Sequence, residues 1–162
     1  MPAVKLDRID MNILVELQKN GRVTNANLAD AVGLSPSPCL LRVKRLQQAG
    51  FITGYNASID LRKLGETISV FLEITLTQHR MENLVKFESS MAPIPEVIEC
   101  HLISGGFDYL VRIVVRNLTH FQQLIEGILE NNIGVSKYVS YIVVKSPIST
   151  PAYPLRLLFD DR

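Results

Sequence analysis

Leu6, Ile9, Ile13, Leu14 and Leu17 recur at three- and four-residue spacing, with Asp7, Arg8, Asp10 and Glu16 between them. That is the pattern of an amphipathic helix over residues 7–20, with Gly21 as its stop. Thr24 is placed to cap a second helix that turns Leu28, Ala31 and Val32 inward. Asn27 stands where a capping box would want Glu or Gln, so that cap is partial. Gly33 closes the second helix in a left-handed conformation. A third helix follows, with two possible starts. Ser35 as cap and Pro36 as first residue is one. Ser37 and Pro38 is the other, and it is favoured because a proline disfavours helical backbone in the residue before it. Both prolines fall where backbone N–H groups have no intrahelical partner. Cys39, Val43 and Leu46 share the face turned to the first helix, and Gly50 ends the third. Residues 51–59 (FITGYNASI) are rich in aromatic and β-branched side chains and predict a strand or wing. Residues 60–66, with Gly65, are expected to form a linker.

Beyond the linker the period changes. Residues 68–76 (ISVFLEITL) predict a strand, and 81–91 a helix with Leu84, Val85, Phe87 and Glu88 on one side, broken by Pro93 and Pro95. Residues 97–103 predict a strand, Ser104-Gly105-Gly106 a hairpin turn, and 107–115 the return strand. A helix over 118–131 turns Phe121, Leu124, Ile125, Ile128 and Leu129 inward, and 135–144 is the last strand. The order β-α-β-β-α-β is that of a ferredoxin-like sandwich with both helices on one face. The fold class is α+β: a helix-turn-helix segment over 1–60, a ferredoxin-like domain over 61–147 and a tail over 148–162. Val70, Leu72, Val111 and Ile113 alternate with other apolar residues. Both sheet faces are thus apolar, and the second is expected to be buried in a homodimer. The tail, with Pro147, Pro151 and Pro154, is expected to be extended, its apolar 154–159 segment (PLRLLF) docking on a neighbouring subunit.

Composition changes this picture in a few places. A 162-residue chain that is 47% hydrophobic can bury a core as one domain or two. No apolar run reaches the ~18–20 residues of a membrane helix, and the first ten residues lack the apolar core of a secretory signal. A cytoplasmic protein with no membrane partner is expected. Net charge is only +1, but no acidic residue lies between Ser35 and Gly50, where Arg42, Lys44 and Arg45 stand on the third helix. Two short helices about a glycine turn, the second one basic, make a helix-turn-helix whose partner is double-stranded DNA. Arg42 and Arg45 are placed to engage a guanine edge. Lys44 lies beside them. Ser35 and Ser37 stand at the helix start within reach of a phosphate or base, and Thr24, Asn25 and Asn27 are set to meet the backbone.

Cys39 and Cys100 are far apart and are expected to be buried apolar residues. Neither they nor His79, His101 and His120 have metal-ligand spacing. No nucleophile–base pair or phosphate loop is present, so neither an enzyme nor a cofactor is expected. The 104–108 turn leaves two readings open: a tight hairpin needing glycines, or exposed backbone N–H groups suited to a carboxylate.

Taken together, LDRIDMNIL at 6–14, GLSPSPCLLRVKRL at 33–46, GFITGY at 50–55 and ECHLISGGFDYLVR at 99–112 resemble the Lrp/AsnC family of feast/famine transcription regulators. The resemblance covers nearly all of the chain up to about residue 147. It implies a DNA-binding regulator dimerised through its C-terminal domains, assembling further into tetramers or octamers around which DNA wraps, and associated with the nucleoid. It also implies an amino-acid effector bound between dimers. The residues marking that site are Ser104, Gly105, Gly106, Phe107, Asp108 and Tyr109. Asp108 is placed to receive the ligand ammonium, and Ser140 and Tyr141 to close the site from a neighbouring subunit. Gly106 departs from the acidic residue that many members carry there, which removes one polar contact. The alternative function is an architectural DNA-packaging protein with little effector response.

Overall fold

The computed structural model describes residues 5–150 and 152–159. Residues 1–4, Pro151 and 160–162, with what was read of them above, lie outside the described residues. The chain divides into two compact units. One is built from residues up to Ser58 together with those from Ile148 onward, the other from Ile59–Pro147.

In the first unit, α1 spans Arg8–Lys19. Its start is a reciprocal capping box: the Asp10 N–H donates to the Asp7 carboxylate at 2.8 Å, and the Asp7 N–H donates back to Asp10 at 3.1 Å. Helix α2 spans Asn25–Val32, with the Asn27 N–H donating to the Thr24 hydroxyl. Gly33 follows at φ 71°, ψ 38°, the left-handed stop expected of it. Helix α3 spans Pro36–Gln48, so the first of the two starts is the one adopted. The preference against helix at Ser37 is overridden because Pro36 and Pro38 both fall in the first turn, where no N–H is required. The Cys39 N–H closes that turn on the Ser35 carbonyl at 3.3 Å.

Ile13, Leu28, Ala29, Cys39 and Leu46 form the core of this unit. Ala29 takes the inward place expected of Ala31, which is exposed. Residues 51–59 form no strand. The Phe51 and Ile52 N–H groups bond the Leu46 carbonyl instead, and Ile52 packs against the core. The 60–66 linker contains a short 3-10 turn at Leu61–Lys63, capped by Asp60. The tail is not extended throughout: α6, at Leu155–Phe159, returns to α1 of its own chain. There Tyr153 and Gln18 exchange two hydrogen bonds, and Arg156 donates to Asn12 at 2.9 Å.

The second unit contains β1 (Ile68–Leu76), α4 (Met81–Met91), β2 (Val97–Leu102), β3 (Tyr109–Val115), α5 (Leu118–Glu130) and β4 (Val135–Ile142). All strand pairs are antiparallel, in the order β2-β3-β1-β4. This is the expected βαββαβ topology. Val70, Leu72, Ile74 and Leu76 of β1 and Tyr109, Val111, Ile113 and Val115 of β3 are buried beneath Phe87, Met91, Phe121, Ile125 and Ile128 of the helices. Val85 and Leu129, expected inward, are exposed. The opposite face is only partly apolar. Phe71, Leu110, Val114 and Val139 share it with Glu73, Glu99 and Arg112, and Arg112 donates to Glu99 at 2.9 Å. Cys39 is buried as expected, but Cys100 on the edge strand β2 is exposed.

Candidate nucleic-acid interface and ligand turn

At about 100° per residue, the inward residues Cys39, Val43 and Leu46 of α3 leave Ser37, Leu41, Lys44 and Gln48 on the opposite stripe. All four are exposed. Lys44 is therefore the central cation of the outward face, which it shares with Ser37, Leu41 and Gln48.

Arg42 and Arg45 have other partners. Arg42 Nη1 donates to Asp7 Oδ2 at 2.6 Å and to Asp10 Oδ1 at 2.9 Å. Arg45 Nη2 donates to Asp10 Oδ2. The Asp10 side chain is 0% exposed, against 27% for Arg42 and 46% for Arg45. Burial of a carboxylate is costly unless charged donors satisfy it, so both guanidinium groups act first as struts between α3 and the start of α1. Partial desolvation raises the Asp7 carboxyl, but the Asp10 N–H and the Arg42 guanidinium outweigh it and hold Asp7 below the usual carboxylate range. Arg42 and Arg45, expected to face a guanine edge, are thus held by carboxylates of α1 and its cap. In this arrangement Arg42 is bound within the protein, while Arg45 keeps an exposed flank beside the Lys44 stripe.

Asn25 is likewise engaged, donating to the Pro36 carbonyl at 2.8 Å. This bond brings the N-termini of α2 and α3 together, two positive dipole ends on one side of the unit. Thr24 uses its oxygen as the α2 cap and retains a hydroxyl proton to donate. Asn27, Ser35 and Ser37 are exposed, and the Ser35 side chain makes no cap bond.

In the second unit, Ser104, Gly105 and Gly106 are exposed and Phe107 half-buried. Strand β3 begins at Tyr109 and not at 107, and the Asp108 N–H donates to the Ile74 carbonyl at 2.9 Å. The Asp108 carboxylate accepts from the Leu76 N–H at 2.7 Å and meets His79 Nε2 at 2.9 Å. It is thus occupied within its own chain, and His79 was not foreseen. Tyr109 points away from the exposed turn. It is buried against Phe87, with ring centroids 4.5 Å apart, and its hydroxyl donates to Glu88 at 2.7 Å. Burial and that bond push its phenol above the usual range. Ser140 and Tyr141 pair with Leu72 and Phe71 on β1, whereas Tyr109 pairs with Ile74. One chain therefore does not bring Ser140 to the 104–108 turn.

Among the described residues no group of three His, Cys, Asp or Glu side chains is disposed to hold a metal. No helix there is long and apolar enough to cross a membrane.

Comparison with known proteins supplies the context for both sites. Residues 6–53 match a winged helix-turn-helix DNA-binding model, and residues 69–153 match the Lrp/AsnC ligand binding domain. The leucine-responsive regulatory protein of Klebsiella pneumoniae is 43% identical over 144 residues, covering 89% of this chain and 88% of that one. Its counterpart in Escherichia coli strain K12 is 42% identical with the same coverage. Among solved structures, a transcriptional regulator from Neisseria meningitidis in complex with L-Met superposes with TM-score 0.88 at 32% identity, covering 96% of this chain and 100% of that one. An AsnC family regulator from Agrobacterium tumefaciens gives TM-score 0.88 at 30% identity, covering 95% and 100%.

Proposed function

Because the chain belongs to the Lrp/AsnC family and is a DNA-binding transcription regulator with a ligand-binding domain, we propose how its own residues divide that work. Helix α3 enters the major groove with Ser37, Lys44 and Gln48 toward base edges and phosphates. Thr24, Asn27 and Ser35 meet the flanking backbone, and Arg45 lends its exposed flank to a phosphate. Arg42 serves by fixing α3 on α1. The observation that carries this is the single-signed face of α3, which has Lys44 at its centre and no carboxylate from Ser35 to Gly50. The protein acts as a homodimer through the partly apolar sheet face, and larger assemblies are built on it. Its DNA site is then an approximate palindrome with half-sites about one helical turn, or a multiple of it, apart.

The ligand is an amino acid. The exposed Gly105 and Gly106 amides suit its carboxylate, and Asp108 suits its ammonium once His79 has been displaced. The Neisseria neighbour with its bound L-Met supports this class. A ligand favouring one assembly over another changes how many DNA-binding units engage together.

Fluorescence-anisotropy titration of a selected duplex tests the DNA reading. Lys44→Ala is expected to weaken binding at every sequence and to reduce the salt slope by about one per protomer. Unchanged affinity and slope remove Lys44 from the interface. Steep salt dependence with no preferred duplex favours the architectural alternative. A thermal-shift screen over the amino acids tests the ligand reading. A stabilising amino acid whose effect disappears in Asp108→Asn supports it, and an effect that survives relocates the site.

A further inference from the structure

Leu41 is 68% exposed and lies at the middle of the polar stripe formed by Ser37, Lys44 and Gln48. A single exposed leucine needs no explanation on an ordinary surface. This one stands where α3 is most distant from its own core, one turn from Ser37 and less than a turn from Lys44. Its neighbour Leu40 turns toward the flank and is less exposed, at 42%. The Leu41 side chain has no partner among the core of its unit.

We propose that Leu41 reads a thymine, packing on the C5-methyl group in the major groove. The inference rests on the placement of α3 in that groove. Only thymine presents an apolar group on the major-groove edge of a base pair, so an apolar side chain there selects thymine over the other bases. Gln48 on the same stripe suits an adenine edge, and Lys44 a guanine or phosphate. The half-site therefore contains at least one thymine whose methyl is recognised separately from its hydrogen-bonding groups.

Deoxyuridine differs from thymidine by that methyl alone, which makes the test direct. A duplex selected by the full-length protein from a randomised pool is resynthesised with deoxyuridine at each thymine in turn. Wild type and Leu41→Ala are titrated against the set. Wild type is expected to lose about fourfold in affinity at one thymine of each half-site, the worth of one buried methyl-sized group. Leu41→Ala, whose fold is checked by circular dichroism, should bind both forms of that duplex equally. Wild type indifferent to every replacement overturns the inference while leaving DNA binding intact. A methyl effect of the same size in Leu41→Ala as in wild type also overturns it, since the effect then comes from DNA stiffness or another side chain. Failure to bind any selected duplex overturns the placement of α3 itself.

Discussion

Replacing Arg42 by alanine separates a strut from a base reader. The substitution removes one hydrogen bond to Asp7 and one to Asp10. Asp7 is half-exposed, so that pair contributes about 0.5 kcal/mol at most. The Asp10 bond is different, because its carboxylate has no access to water and keeps only Arg45 and the Asp7 N–H. Losing a charged donor to such a group costs ~1.5–3 kcal/mol. The sum is about 1.5–3.5 kcal/mol, or on the order of 10 °C in the transition of a unit of this size. Arg45→Ala, at a more exposed donor, should cost about half as much, and Lys44→Ala should stay within ~0.5 kcal/mol of wild type. No tryptophan reports on either unit, so segment-resolved amide hydrogen exchange is the suitable assay. Faster exchange in α1 and α3 is expected for Arg42→Ala, with β1 and β3 unchanged. If Arg42→Ala exchanges and melts like wild type yet loses DNA affinity, the strut assignment is wrong and Arg42 reads DNA.

Other outcomes follow from the same structure. Asp7 has a depressed carboxyl pKa in the fold, so the stability it contributes is present above its unfolded value of about 4 and is lost as pH falls through the lower folded value. Acid unfolding of wild type should therefore be steeper in that window than that of Asp7→Asn, and equal slopes would refute the link. Gly33→Ala should cost ~1 kcal/mol by urea denaturation, because the added Cβ meets no atom within 4 Å and only the φ of 71° opposes it. Truncation after Pro147 should speed exchange in α1 around Asn12 and Gln18 while leaving the sheet unaffected; an unchanged α1 would mean that α6 contributes nothing to the unit.

What the sequence disclosed follows from the range of the forces involved. Period and capping are local, so β1, α4 and the left-handed Gly33 could be read with correct bounds from neighbours alone. The start of α3 is left between two residues because two local preferences, at Ser37 and at the first-turn prolines, compete and only the fold decides between them. Residues 51–59 had strand composition, but a strand also needs a partner, and the Leu46 carbonyl claimed their first amides. The candidate site was legible as a basic helix but not as a surface. Arg42 and Arg45 are separated by more than thirty residues from the carboxylates that hold them, and nothing local announces that pairing. The same holds for Asp108, whose partners Leu76 and His79 lie about thirty residues upstream.

The return of α6 to α1 has a consequence for biosynthesis. A ribosome delivers the chain from its N-terminus, and units generally fold as they emerge. Here the helix-turn-helix is made first, but the segment that packs on its first helix is made only after the entire ligand-binding unit. A nascent chain thus carries a ligand-binding unit that can be whole while its DNA-binding unit still lacks a piece. Completion of that unit would then wait until translation has passed Phe159.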